Sequence, residues 1–275
     1  MSDSLRSRVV TAVLLAPLAI AGVLGLPTHW FAFALGSVCA FGMIEWARLV
    51  GLRSLLTQLG LALLLVAMLA ALWHWRADGA LRATIIVGVA WWPLAALWLR
   101  NYSFCQAERG RNRSLKAAAG LLTVAPAWAG AVVLHGLPAN GPWWVLFVLV
   151  LIWCADIGAY FVGKRYGTTK LAPRISPGKT RAGLWGALAA SALYAIPAGF
   201  ALGHADGPLA LLVALALVTV GVSVVGDLFE SLIKRHSNVK DSGSIFPGHG
   251  GVFDRFDSLF AALPVFAAGK LLLGL

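Results

Sequence analysis

Residues 208–275 read PLALLVALALVTVGVSVVGDLF (208–229), Glu230, SLIKRHSNVKDSGSIFPGHGGVFDRFD (231–257) and SLFAALPVFAAGKLLLGL (258–275). The first and last runs are apolar and of membrane-crossing length, at about 20 residues each. In a bilayer such runs must satisfy their own backbone polar groups, so they are helices. The 27 residues between them hold Lys234, Arg235, Lys240 and Arg255, three Asp, two His and four Gly. A polar loop held between two membrane helices, combining carboxylates, cations and flexible glycines, points to metal-assisted handling of phosphates at a bilayer surface.

The rest of the chain repeats the apolar pattern. Of 275 residues, 60% are hydrophobic and 12% charged, a composition that excludes a soluble domain and leaves no room for a separate one. Apolar runs at 9–26, 30–50, 55–75, 82–99, 115–135, 143–163, 182–203, 208–229 and 257–275 predict an all-α, polytopic membrane bundle of about nine spans. The weakest are 115–135, interrupted by Pro126, and the last, which carries Pro264 and Lys270. The chain divides into N-terminal helices over 1–135, about five spans, and a catalytic membrane region over 136–275 with polar loops at 164–181 and 230–256.

Charge gives an orientation. With alternating spans, nineteen of the 22 Lys and Arg residues fall on one side, Arg76 and Arg82 on the other, and Lys270 inside the last span. The positive-inside rule then places the N-terminus and the long loops in the cytoplasm. The net charge of +11 is spread over short loops rather than one patch, so it is read as orientation and not as nucleic-acid binding. Trp30, Trp73, Trp75, Trp143 and Trp144 at outer ends, with Trp46 and Trp98 near inner ends, are expected to form aromatic belts. His29, His74, His135 and His204 are read as interface histidines, and the Gly199–Gly203 pair as a site of close helix approach. Cys39, Cys105 and Cys154 are too scattered for a disulfide or zinc site. The run after Arg8 lacks a convincing cleavage signal and is expected to stay as the first span.

Within the polar region, Asp227, Glu230, Ser231 and Lys234 share one helix face. Asp227 follows an unbroken apolar run, where a carboxylate needs a partner or a metal. Asp254 and Asp257 open the last span, either as helix caps or, with Asp227, as oxygen ligands converging on a hard divalent cation. The glycines around His249 allow a nest of N–H groups for phosphate oxygens. A second cluster begins at the buried Asp156 and runs to Ser176-Pro177-Gly178-Lys179-Thr180, expected to present hydroxyls, amides and Lys179 at the N-terminus of the seventh span. It lacks the Walker spacing and the preceding strand. Glu45 is read as a partner of Arg48, the alternative being a site residue. Arg100, Arg109, Arg111, Arg113 and Lys116 are read as headgroup contacts or topology determinants.

The pattern Ser231-x-x-Lys234-Arg235-x4-Lys240-Asp241-x-Gly243-x-x-Phe246-Pro247-x-His249-Gly250-Gly251-x-x-Asp254-Arg255-Phe256-Asp257 closely resembles the signature of the phosphatidate cytidylyltransferases, or CDP-diacylglycerol synthases. Asp156-x-Gly158-Ala159-Tyr160-Phe161-x-Gly163 and Ser176-Pro177-x-Lys179-Thr180 are similar to that family's second region, except that Gly178 and Ala182 stand where members commonly carry Lys and Glu. The resemblance is sharp over roughly 153–186 and 221–258 and only hydropathic over the N-terminal half. It implies a Mg²⁺-dependent transfer of CMP from CTP to phosphatidic acid, giving CDP-diacylglycerol and pyrophosphate, in a bacterial-type cytoplasmic membrane.

It further implies Asp227, Asp254, Lys240 and Asp241 as catalytic residues. Asp227 and Asp254 would be metal ligands with Asp257 as a third, and a second cation, monovalent or divalent, is left open. Ser176, Lys179, Thr180, Lys234, Arg235, His249, Gly250, Gly251 and Arg255 would bind substrate. A homodimer accords with the resemblance and with the small-residue-rich helices. The rival reading is an ion or proton-coupled transporter using Asp156 and Asp227. A CDP-alcohol phosphotransferase is disfavoured because Asp78-Gly79 is not followed by that family's Ala-Arg or later Asp pair.

Overall fold

The computed structural model describes residues 3–243, 245 and 250–275, with side chains in the first helix described at position 13 and from position 15 onward. Its helices run in chain order: α1 (Asp3–Gly25), α2 (Thr28–Leu49), α3 (Leu55–His74), α4 (Ala80–Arg100), α5 (Gly110–His135), α6 (Gly141–Tyr166), α7 (Arg181–Ala201), α8 (Asp206–His236) and α9 (Phe253–Leu273). Among the described residues, eight helices, α2 to α9, are long and apolar enough to cross a membrane. The chain is thus an all-α, multi-pass membrane bundle.

Each expected span coincides with a helix, but the ends differ on the polar side. There α5 begins at Gly110, α8 continues to His236 and α9 begins at Phe253. Residues 230–236, placed within the polar loop, therefore lie on the last turns of α8, in keeping with the shared helix face expected for Asp227, Glu230, Ser231 and Lys234. The 164–181 loop holds a two-stranded antiparallel hairpin, β1 (Lys170–Ala172) and β2 (Ser176–Thr180), with Lys170 paired to Thr180. Ser176 and Lys179 are consequently on a strand rather than at a helix start. The Thr180 hydroxyl accepts from Gly183 N at 3.0 Å and caps α7, satisfying one of its orphan donors.

The two spans that looked weakest are the most interior. Their most apolar windows are 72% buried in α5 and 56% in α9. Pro126 and Pro264 both pack against Gly88 of α4, where a Cβ would meet Pro126 Cβ at 2.3 Å, and Gly130 lies against the backbone of Leu263. Neighbouring helices thus compensate what the prolines remove. Lys270 is also buried, with Nζ 3.7 Å from the centroid of Trp144 and donating to the carbonyl of Leu275.

One hydrophobic core runs through α2 to α9. Trp46 of α2 is fully buried, stacks on Phe253 at 4.9 Å and Phe229 at 6.1 Å, and donates from Nε1 to the Lys116 carbonyl at 2.8 Å. It is a core residue rather than part of an interfacial belt, as is Trp144, whereas Trp30, Trp75 and Trp143 are exposed. His135 likewise departs from the interface reading. It stacks on Phe31 and binds the Thr28 hydroxyl and the Val23 carbonyl, tying three helices together.

The closest helix approach is made by α6 and α7. A Cβ on Gly158 would stand 2.4 Å from Gly186 O, and one on Gly186 would stand 2.5 Å from Val162 Cβ. The expected glycine pair does less: Gly199 packs on Leu209 and Leu212, but Gly203 is a left-handed turn residue beyond the end of α7.

Candidate active site

The helix ends expected on the Lys- and Arg-rich side gather at one end of the bundle. Arg235 Nε donates to Ile175 O at 3.2 Å, joining α8 to the hairpin. The His236 ring bonds the Tyr102 carbonyl at 2.6 Å, and Ser237 Oγ donates to the Leu49 carbonyl. The loops after α2, α4, α6 and α8 therefore converge around the end of α8.

Below them lies a cavity of about 510 Å³ between α6, α7, β2 and α8, lined among others by Asp156, Tyr160, Lys164, Lys170, Lys179 and Asp227. Here the two motif regions meet, 48 residues apart in sequence, through an ion pair between Lys179 and Asp227. Ser231 Oγ donates to the other oxygen of Asp227 at 3.3 Å. Thr180 also lines the cavity, but its hydroxyl is engaged in capping α7 and the residue is buried. Its part in the site is thus to fix where α7 begins. Ser176, at the far end of β2, is outside the lining.

Beside the cavity is a second group of charges. Lys234 Nζ lies 2.7 Å from Asp254 Oδ1 and 3.3 Å from Glu230 Oε1, with its side chain only 12% exposed. Asp254 Oδ2 accepts from Ser242 N and Gly251 N, and it lies 2.9 Å from Ser242 Oγ, whose single proton it shares with Glu45. Asp254 is the second residue of α9 and reaches back to the Gly251 N–H, ahead of the N-cap Val252, so it is not the helix cap that its position in the sequence allowed. Lys234 and Arg235 are thus both engaged with the protein itself. Lys240, Asp241 and Arg255 are exposed. Gly250 has φ +78, a left-handed conformation that favours glycine. His249 lies outside the described residues.

Glu45 does not pair with Arg48, the partner expected from helical spacing. Arg48 donates to Gln58 instead. The Glu45 carboxylate, 2% exposed, accepts from Val252 N at 3.0 Å, Phe253 N at 2.9 Å and Ser242 Oγ at 2.9 Å. Spacing along α2 favours Arg48 at i+3; only the long-range fold brings the 242–253 segment closer. Asp156, singled out as a buried charge but not assigned to the site, is instead exposed and lines the cavity.

The donor set suits a hard cation. Both Glu230 carboxylate oxygens are buried without a hydrogen bond, and Asp257, Lys234, Asp254 and Asp227 are the charged groups around them. Among the described residues no three acidic, His or Cys side chains form a ready-made metal cage. Mg²⁺ ordinarily keeps waters and takes substrate phosphate oxygens beside one or two carboxylates, so the arrangement fits it.

Comparison with known proteins shows the family. The chain is 43% identical over 265 residues to the phosphatidate cytidylyltransferase of Pseudomonas aeruginosa, covering 96% of both chains. It is 34% identical to the proteins of that name from Haemophilus influenzae, over 96% of this chain and 97% of the relative, and Bacillus subtilis, over 96% and 95%. The family model described as "Cytidylyltransferase family" matches residues 6–272, which takes in α2 to α9, the hairpin and every carboxylate of the site. A resemblance first visible in two short motifs thus extends over nearly the whole chain, which belongs to the cytidylyltransferase family.

Proposed function

We propose that the chain is a phosphatidate cytidylyltransferase, transferring CMP from CTP to phosphatidic acid to give CDP-diacylglycerol and pyrophosphate. The observation that carries this is the Lys179–Asp227 pair, which places a cation and a carboxylate from the two motif regions in one cavity at the polar end of a membrane bundle. An oxygen of the lipid phosphate attacks the α-phosphorus of CTP, the bond from that phosphorus to the bridging oxygen breaks, and pyrophosphate leaves. A phosphate monoester is already largely ionised near neutral pH, so no strong general base is needed.

The chemical problem is charge, because two polyanions must meet. Lys179 at the cavity, with Lys240 and Arg255 at the exposed rim, would offset their repulsion. Asp227, Asp254 through the remaining lone pair of Oδ1, and Asp257 would hold Mg²⁺, with Glu230 close by. When bound, the ion supplies electrostatic stabilisation of the phosphate oxygens. The Lys- and Arg-rich end would face the cytoplasm, where CTP is found, placing the N-terminus on that side.

Purified protein with CTP, phosphatidic acid and Mg²⁺ is expected to release pyrophosphate and form CDP-diacylglycerol, with neither product when phosphatidic acid is left out. Pyrophosphate release that ignores the lipid would overturn the assignment.

A further inference from the structure

We propose that Glu45 is a positioning residue that holds Ser242 and Gly251 to Phe253, the two ends of the segment between α8 and α9, in the arrangement required to bind CTP; this rests on the reaction proposed above. Glu45 comes from the N-terminal half, where the motif resemblance does not reach, and it is absent from the cavity lining. Its carboxylate is nevertheless nearly inaccessible, and its acceptor bonds all go to this segment: Ser242 at one end, Val252 and Phe253 at the other. No cation pairs with it among the described residues. Its charge is instead balanced by amides at the N-terminus of α9, where the helix dipole favours an anion.

The backbone is built around this carboxylate. A Cβ on Gly243 would lie 2.4 Å from Glu45 Oε1, and one on Gly251 would lie 2.3 Å from Oε2. Both ends of the segment therefore close on Glu45, whose carboxylate would have to shift if either glycine carried a side chain. The Ser242 hydroxyl is also 2.9 Å from Asp254 Oδ2 as well as from Glu45 Oε2, so one side chain sets the position of both carboxylates. Through Asp254 the connection continues to Lys234.

Two features tie this segment to the nucleotide rather than the lipid. It is flanked by the exposed cations Lys240 and Arg255, which suit a water-soluble polyanion. The cavity, by contrast, is lined by the exposed Tyr160 of α6, and α6 and α7 also expose Ile157, Phe161 and Trp185, which suit the lipid. Loosening the segment leaves the Lys179–Asp227 cavity in place.

The test compares full-length Glu45→Gln, Glu45→Asp and Ser242→Ala proteins with wild type. Glu45→Gln presents an amide donor to groups that are themselves donors, and is expected to raise KM for CTP about tenfold while KM for phosphatidic acid stays within about twofold. Glu45→Asp keeps the charge and is expected to recover part of the loss. Tryptic cleavage after Lys240 should quicken in Glu45→Gln without any substrate present. Unchanged kinetics, or equal rises in both KM values, overturns the proposal. If Glu45→Gln does not fold, Ser242→Ala decides: a rise confined to KM for CTP supports the role, and no change or a parallel change overturns it. Should wild type make no CDP-diacylglycerol, the reaction assignment fails, while the cleavage rates still report whether Glu45 holds the segment.

Discussion

Lys179 and Asp227 form an ion pair across the cavity, joining the β2 strand to α8. Each is partly accessible, with side chains 27% and 23% exposed, so incoming phosphate and metal can reach them. In the proposed reaction each partner would exchange one counter-charge for another, Lys179 for a phosphate and Asp227 for a cation. Asp227→Asn removes the negative partner with little change of shape. It is expected to insert and melt like wild type yet lose CTP-dependent conversion of phosphatidic acid by about a hundredfold or more. Full activity in this variant would remove Asp227 from the mechanism. Lys179→Met should lower kcat/KM by a similar order for the opposite reason, and Lys179→Arg should restore only part of it because a planar fork replaces a point charge.

Lys234 faces two carboxylates in a nearly closed space, Asp254 at 2.7 Å and Glu230 at 3.3 Å. Lys234→Met keeps the volume but leaves both negative charges uncompensated, which costs roughly 3–5 kcal/mol where a buried pair is broken. Thermal unfolding in detergent should shift down markedly, and Lys234→Met/Glu230→Gln should recover a measurable part of the loss. Additivity in this double-mutant cycle would show that the two residues do not interact.

Gly158 and Gly186 bring α6 and α7 together so closely that neither tolerates a side chain. Gly186→Val would push Val162 and the Gly158 carbonyl away and widen the wall of the cavity formed by Ala159, Gly163, Gly183 and Ala187. Overpacking of this kind costs about 1–3 kcal/mol. The expected result is a modest fall in melting temperature with a large loss of activity, and KM for phosphatidic acid affected more than KM for CTP. Equal activity at lower stability would mean that the cavity wall is not shaped for substrate.

Membrane helices were legible because hydropathy and run length are nearly sufficient to define them, and Asp227 was legible because a carboxylate at the end of an apolar run demands an explanation. Glu45 was not. Its local neighbour Arg48 offered a plausible partner at helical spacing, and nothing in α2 announces that Ser242 and the α9 amides lie closer. The β1–β2 hairpin was missed for a related reason: its eleven residues, Lys170 to Thr180, hold Pro173 and Pro177 and show no clean alternation. Pro126 and Pro264 misled in the opposite direction. Read along the chain they weaken a span, but Gly88 makes room for both, and α5 and α9 become the interior of the bundle.

A cation dependence follows from the Glu230 oxygens. Two buried carboxylate oxygens without hydrogen bonds, close to Asp227 and Asp257, make a region that a single Lys234 only partly neutralises. Binding a divalent ion there would relieve the repulsion and stabilise the fold as well as serve the reaction, because a ligand that binds the folded state alone raises its stability. EDTA treatment of the purified protein should abolish CDP-diacylglycerol formation and lower the melting temperature, and Mg²⁺ should restore both. In Glu230→Gln, with one negative charge removed, the shift of melting temperature on adding Mg²⁺ should shrink. A shift equal to that of wild type would place the ion away from Glu230, on Asp227, Asp254 or Asp257 alone.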